Sequence, residues 1–276
     1  MNGPRSRTRP EATQPGETQL RDQLANYTAR TGIPPAADIT GTAAPASLLN
    51  ALTPPAAVTE FPARGGHFLY AYAQAGFQVI LVDEDPELLR IAVARARQAG
   101  ISAARLDAVR VAAPAVPDLR AADLVVVPSG ELNRMAAARP VYEVLRALRH
   151  AMSPGARLIA QVLCHGNPGP WHDPTRSPMA WCQDHAFTDL SGERVVRWRR
   201  YDQRGDLVWV DYRYTSAGGR KSETYPMAHL KLRLFTDLLR AETRLAGFTD
   251  VTLAAGHGTY SELAATVPAN RSQDPG

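Results

Sequence analysis

A chain of 276 residues, 45% hydrophobic and 21% charged, is long enough to bury a full core and is expected to form one large domain with decorations. Its net charge of +4 rests on arginine with almost no lysine; alongside abundant Ala, Pro and Gly this reflects GC-rich coding and argues against a nucleic-acid partner. No apolar run approaches the roughly 18 residues that span a bilayer, the Arg- and Pro-rich start is not a secretory signal, and two cysteines are too few for a disulfide framework, so a soluble, cytoplasmic protein is expected.

Residues 1–20 are polar and rich in Pro, Thr and Arg, which predicts a disordered tail. Leu20, Leu24 and Tyr27 mark an amphipathic helix that Gly32-Ile33-Pro34-Pro35 ends, and Ala44 to Leu52 suggests a second; together residues 21–54 form a helical segment ahead of the main domain. A regular alternation follows. Ala56 to Thr59 reads as a strand, Phe68 to Gln74 as a helix closed by Gly76, and Gln78 to Val82 as a second strand. Pro86 opens a helix that Gly100 stops, and a short third strand ends at Leu106-Asp107. Asp123 to Val127 is an apolar run suited to a strand buried on both faces. Val141 to His150 reads as a helix and Arg157 to Leu163 as a fifth strand. This order argues for an α/β fold, a Rossmann-like, mostly parallel sheet with helices on both faces.

Residues 165–193 hold four prolines with Trp171 and Trp181 and read as a long irregular insertion. Arg194 to Tyr201 and Asp206 to Tyr214, joined at Gln203-Arg204-Gly205, read as an inserted β-hairpin. Phe235 to Ala246 is a helix ended by Gly247, Val251 to Leu253 and Glu262 to Val267 are the last strands, and residues 268–276 form a tail. The run Arg197-Trp198-Arg199-Arg200 interleaves cations with an aromatic, but at strand spacing it alternates between two faces, as a solvated edge strand would.

The segment from Glu60 to Asp83 has the layout strand, ligand loop, helix, strand, and with Asp123 to Asn133, Ser153-Pro154-Gly155-Ala156-Arg157-Leu158 and Leu234 to Phe248 it resembles the class I S-adenosylmethionine (SAM) dependent methyltransferases, in particular their small-molecule, glycine/sarcosine N-methyltransferase-like branch. The resemblance covers residues 55–267 and implies a seven-stranded sheet with SAM as cofactor. It implies a loop reading acidic-x-Gly-x-Gly-x-Gly, which here runs from Glu60 through Ala63 to Gly66; Pro62 and Arg64 replace the first two glycines and Gly66 keeps the third. It further implies Asp83 on the ribose hydroxyls with Glu84 able to share the role, Asp107 and Ala108 flanking the adenine, and Ser129 beside the sulfonium. Asp83 can instead cap the helix that Pro86 opens.

Arg64 and Pro62 leave two readings open. The loop is rearranged and still binds SAM, or Arg64 faces an anionic group in a protein that no longer methylates and serves as a partner subunit or binds another ligand. Methyl transfer needs mainly proximity and orientation, with a base only if the acceptor must lose a proton. His165 and His172 in the insertion are the candidates for that base, and the resemblance implies that His257 and Tyr260, after the penultimate strand, face the acceptor, unless Gly256-His257-Gly258 is a plain reverse turn. Cys164, His165, His172, Cys182 and His185 are too irregularly spaced for a zinc set. The expected function is methylation of an N or O atom of a small metabolite, as in secondary metabolism, with a homodimer or heteromeric partner left open.

Overall fold

The computed structural model describes residues 56–112, 116–167, 180–188, 194–216, 228–256 and 260–269. The expected tail and leading helices, His172 and His257 lie outside the described residues.

Eleven strands and five helices are present among them. The first half is β1 (Ala57–Glu60), α1 (Leu69–Ala75), β2 (Gln78–Asp83), α2 (Pro86–Gln98), β3 (Leu106–Arg110), β4 (Leu124–Val127), α3 (Glu131–Ala136), α4 (Val141–Ala151) and β5 (Arg157–Val162). The second half is β6 (Cys182–Thr188), β7 (Arg194–Arg204), β8 (Leu207–Ser216), β9 (Ala228–Arg233), α5 (Leu238–Leu245), β10 (Thr249–Ala255) and β11 (Ser261–Thr266). One sheet has the order β10-β11-β5-β4-β1-β2-β3. Its β1 to β5 run parallel, and β11 pairs antiparallel with both β5 and β10.

The physical basis is plain in β4, where Leu124, Val125, Val126 and Val127 are all buried because helices cover both faces of the sheet. Two apolar clusters result. One packs α3, α4 and α5 through Leu132, Leu145, Leu148 and Leu239, and the other packs α1 and α2 through Leu69, Tyr72, Leu89 and Ala92. Each such buried Leu contributes about 1.5–3 kcal/mol relative to exposure. Asp85 caps α2, its Oδ1 accepting from the N–H groups of Glu87 at 2.8 Å and Leu88 at 3.3 Å, with Pro86 following it as a residue that needs no N–H partner.

Four boundaries differ from the sequence reading. β3 begins at Leu106 and runs to Arg110, because its residues continue the ladder on β2 up to the Asp83–Arg110 pair. α3 forms where a plain loop was expected after β4. The insertion contains a strand, β6, and the hairpin turns at Gly205-Asp206, with Arg204 still paired to Leu207. The hairpin is the centre of a separate antiparallel sheet, β6-β7-β8-β9, so the strand carrying Arg197 to Arg200 is internal and not an edge. Val208, Val210, Leu232 and Leu234 of this sheet pack on Leu163 at the end of β5 and on Tyr260.

No helix among the described residues is long and apolar enough to cross a membrane.

Candidate cofactor site

The carboxyl ends of β1, β2 and β4 meet where the strand order reverses, since β1 sends its chain to β2 on one side while β4 and β5 lie on the other. Open α/β sheets bind ligands at such a point. The loop after β1 is fixed there by two wholly buried carboxylates.

Glu60 ends β1 and turns back under the loop. It accepts from the His67 N–H at 2.6 Å, the Phe68 N–H at 3.4 Å and the Tyr72 hydroxyl at 2.8 Å, with His67 Nδ1 at 3.3 Å. Burial, and then the neighbouring Glu60 charge, push the Tyr72 phenol well above its ordinary range, so Tyr72 remains a donor. Asp83 ends β2 and grips the other side of the same loop. Its Oδ2 accepts from the Arg64 N–H at 2.7 Å and its Oδ1 from the Asp85 N–H at 3.0 Å. The loop's carbonyls at Gly65 and Gly66 accept from Arg95 Nη1 at 2.7 and 2.9 Å, reaching up from α2.

Arg64 stands in the left-handed region at φ 50° and projects its guanidinium toward β4. Nε and Nη2 each lie 3.1 Å from the two carboxylate oxygens of Glu131, a bidentate pair, while Nη1 is 3.9 Å from Asp83. Glu131 is also 3.2 Å from Arg134 Nε, and Arg134 Nη2 is 3.8 Å from Glu84. Five alternating charges, Asp83, Arg64, Glu131, Arg134 and Glu84, thus follow one another, and the last four line a cleft of about 570 Å³. Phe61, Val111, Val116 and Met135 supply its apolar wall.

No family model matches the sequence, and no curated protein does. Solved structures do. The methyltransferase CcbJ from Streptomyces caelestis superposes with a TM-score of 0.61 at 16% identity, over 92% of this chain and 99% of that one. The sugar N-methyltransferase KedS8 from Streptoalloteichus sp. gives 0.58 at 15% identity, over 97% and 99%. The amino pentose methyltransferase CalS10 from Micromonospora echinaspora, a SAM-bound structure, gives 0.55 at 19% identity, over 95% and 100%. This chain has the class I methyltransferase fold.

Within that fold the residues singled out in the sequence fall into separate groups. Glu60, Ala63, Arg64, Gly66 and Asp83 are brought together, but Glu60 and Asp83 hold the loop's backbone with every carboxylate oxygen engaged. Helix capping belongs to Asp85, not to Asp83. Gly66, at φ 78°, leaves no room for a side chain, since a Cβ there would lie 2.4 Å from Leu69 Cδ1. Glu84 lines the cleft with its carboxylate partly exposed. Asp107 and Ala108 are exposed in the body of β3, opposite Ile80 and Leu81 and short of the strand's carboxyl end, where Val111 takes the cleft-lining position.

Ser129 ends the turn after β4 at φ 46°, its N–H donating to Gln161 Oε1 at 3.1 Å. His165 lies past the end of β5, on the far side of β4 from the cleft, with its N–H donating to the Phe235 carbonyl at 2.9 Å. Tyr260 packs toward the Gly130 turn. Among the described residues, no three His, Cys, Asp or Glu side chains gather as a metal site.

Sequence reasoning missed Glu131, Arg134 and Arg95. The spacing of Glu131 and Arg134, three residues apart after a buried strand, was visible as a helical i,i+3 pair once a helix is drawn there. Arg95 shares its helix with Arg90 and Arg97, and nothing in the sequence sets it apart from them.

A nucleoside fits the cleft, with apolar walls for a planar base and the Glu84 carboxylate for hydroxyl groups. Toward β1 and β4 the same cleft ends on the Arg64–Glu131 pair, so an amino-acid extension of that nucleoside meets two charges and no open glycine loop.

Proposed function

We propose that the protein is a SAM-dependent methyltransferase that acts on an N or O atom of a small molecule. The observation that supports this most is the cleft itself, placed at the switch point of a class I methyltransferase sheet between Glu84 and an apolar wall of Phe61, Val111, Val116 and Met135. The cofactor supplies the electrophilic methyl group; the chain supplies position. Glu60, Asp83 and Arg95 hold the loop after β1 from below, and Glu84 is the acceptor available to ribose hydroxyls. The second sheet covers the β5 side, where Cys164 bridges to Phe235, and gives a small acceptor a wall opposite the cofactor. A sugar N-methyltransferase and an amino pentose methyltransferase among the solved neighbours favour an amine acceptor of secondary metabolism. Such an acceptor, neutral when its lone pair is free, needs orientation more than a strong base. His165 and His172 stay proposals for that base, and His257 for a residue that faces the acceptor.

A second reading is favoured by one observation, the bidentate Arg64–Glu131 pair across the methionine side of the cleft. On that reading the pair blocks the cofactor permanently and the protein has another use. Calorimetric titration of the full chain with SAM and with S-adenosylhomocysteine separates the two. Methyltransferase function predicts binding of both, at dissociation constants on the order of 1 µM to 1 mM. Absence of heat and of competition at millimolar cofactor refutes it and leaves the second reading.

A further inference from the structure

We infer that the Arg64–Glu131 pair is a built-in stand-in for the zwitterionic amino-acid end of the cofactor, whose carboxylate takes Arg64 while its ammonium takes Glu131. The inference rests on the SAM-binding reading above and assigns two residues to the ligand, one of them, Glu131, unmarked by any glycine-loop pattern.

Three features lead to it. First, position: Arg64 leaves the loop after β1 and Glu131 opens α3 after β4, so the pair closes the side of the cleft opposite the β3 end where Val111 and Val116 would hold the base. Secondly, the backbone offers little to an ammonium on this wall. The carbonyls of Gly65 and Gly66 are taken by Arg95 at 2.7 and 2.9 Å, and that of Ala63 by the Gly66 N–H at 2.7 Å. Of the two carboxylates that line the cleft, Glu131 and Glu84, Glu131 is the one paired with Arg64. Thirdly, charge accounting favours exchange over obstruction. A fork-shaped guanidinium binds an α-carboxylate in the same bidentate way that it now binds Glu131.

When the pair opens, no charge is stranded. Arg64 keeps Asp83 behind it at 3.9 Å and gains the ligand carboxylate. Glu131 keeps Arg134 at 3.2 Å and gains the ligand ammonium. Breaking a partly buried pair is costly mainly when one charge is left without a partner, and here each charge exchanges one partner for another. The left-handed φ of Arg64 aims the side chain out of the loop and across the cleft, which a glycine at this position would not do.

The test compares two probes that share the nucleoside and differ in the amino-acid end, S-adenosylhomocysteine and 5′-methylthioadenosine, on the wild type and on Arg64→Gly and Glu131→Gln. Glycine suits the left-handed backbone at position 64, which guards that variant against misfolding. Exchange predicts that each substitution weakens S-adenosylhomocysteine roughly ten- to a hundredfold, the worth of charge-assisted hydrogen bonds, and leaves 5′-methylthioadenosine within about threefold. Should Arg64→Gly bind S-adenosylhomocysteine as tightly as the wild type or more tightly, the pair is a bystander or a block, and the inference falls while cofactor binding stands. Equal weakening of both probes also overturns it, because the loss then lies in the cleft and not at the amino-acid end. Failure of the wild type to bind either probe at millimolar concentration removes both this inference and the reading beneath it.

Discussion

Asp83 shows how a residue can carry a family's position and do different work. The sequence pointed to it as a ribose ligand, yet its side chain is fully buried and both oxygens accept backbone N–H groups, from Arg64 and Asp85. Asp83→Ala would leave two part-buried donors unpaired, at about 1–2 kcal/mol each. The expected loss is roughly 2–4 kcal/mol, read as a shift in the urea midpoint. Glu84→Gln should leave stability within about 0.5 kcal/mol, since Glu84 is largely exposed. It should weaken S-adenosylhomocysteine by about 1 kcal/mol, roughly fivefold. A large affinity loss with no stability loss in Asp83→Ala would return the ribose role to Asp83. Gly66→Ala forces a Cβ to 2.4 Å from Leu69 Cδ1 at φ 78°, and should cost on the order of 1–3 kcal/mol by the same denaturation assay. The sequence signalled Gly66 and Asp83 because backbone constraints leave a residue-type mark. Glu131 left none, because a glutamate after a strand looks the same whether it faces water or an arginine 67 residues earlier in the chain.

At the scale of elements, α3 and β6 explain most of what sequence reading lost. A helix of six residues has too few turns for an apolar period, and β6 sits in a Pro- and Trp-rich segment whose pairing partner follows it in the chain. The strand–helix alternation up to β5 was legible because each element there buries a continuous apolar set. What joins the two sheets was not. Asn133 in α3 is fully buried, donates from Nδ2 to the Leu163 carbonyl at 2.8 Å and the Arg233 carbonyl at 2.5 Å, and accepts from the Leu163 N–H at 2.9 Å. It ties α3, the end of β5 and β9 into one unit. Asn133→Ala should therefore destabilise by about 3 kcal/mol, and an unchanged denaturation midpoint would show that the sheets are held by Leu163 and its apolar neighbours alone.

The cysteines test the same junction. Burial raises the Cys164 thiol above its ordinary range, its hydrogen bond to Ser261 opposes that in part, and the nearby Asp237 charge adds to it. The neutral thiol is thus favoured in the fold, and thiolate appears only as pH climbs toward the raised value. Iodoacetamide at neutral pH should label the half-buried Cys182 first, with Cys164 gaining label as pH rises, read by peptide mass spectrometry. Early labelling of Cys164 would mean that the junction opens readily.

For the whole molecule, the sheet topology is what the proposed ligand site rests on. Seven strands, reversed at β1 and β4, present a cleft with a carboxylate rim, an apolar wall and a charged end. The degenerate loop did not abolish that cleft. It moved the loop's polar groups inward, onto Asp83, Glu60 and Arg95, and sent Arg64 across the gap. The central claim is that SAM lies in this cleft, with its nucleoside toward Val111 and Val116 and its amino-acid end toward Arg64. A crystal structure of the full chain grown with millimolar S-adenosylhomocysteine tests it most directly. The account predicts adenosine against Phe61, Val111, Val116 and Met135, ribose hydroxyls at Glu84, and the Arg64 guanidinium turned from Glu131 to the ligand carboxylate. Ligand bound elsewhere, or an empty cleft with the Arg64–Glu131 pair intact, would contradict it.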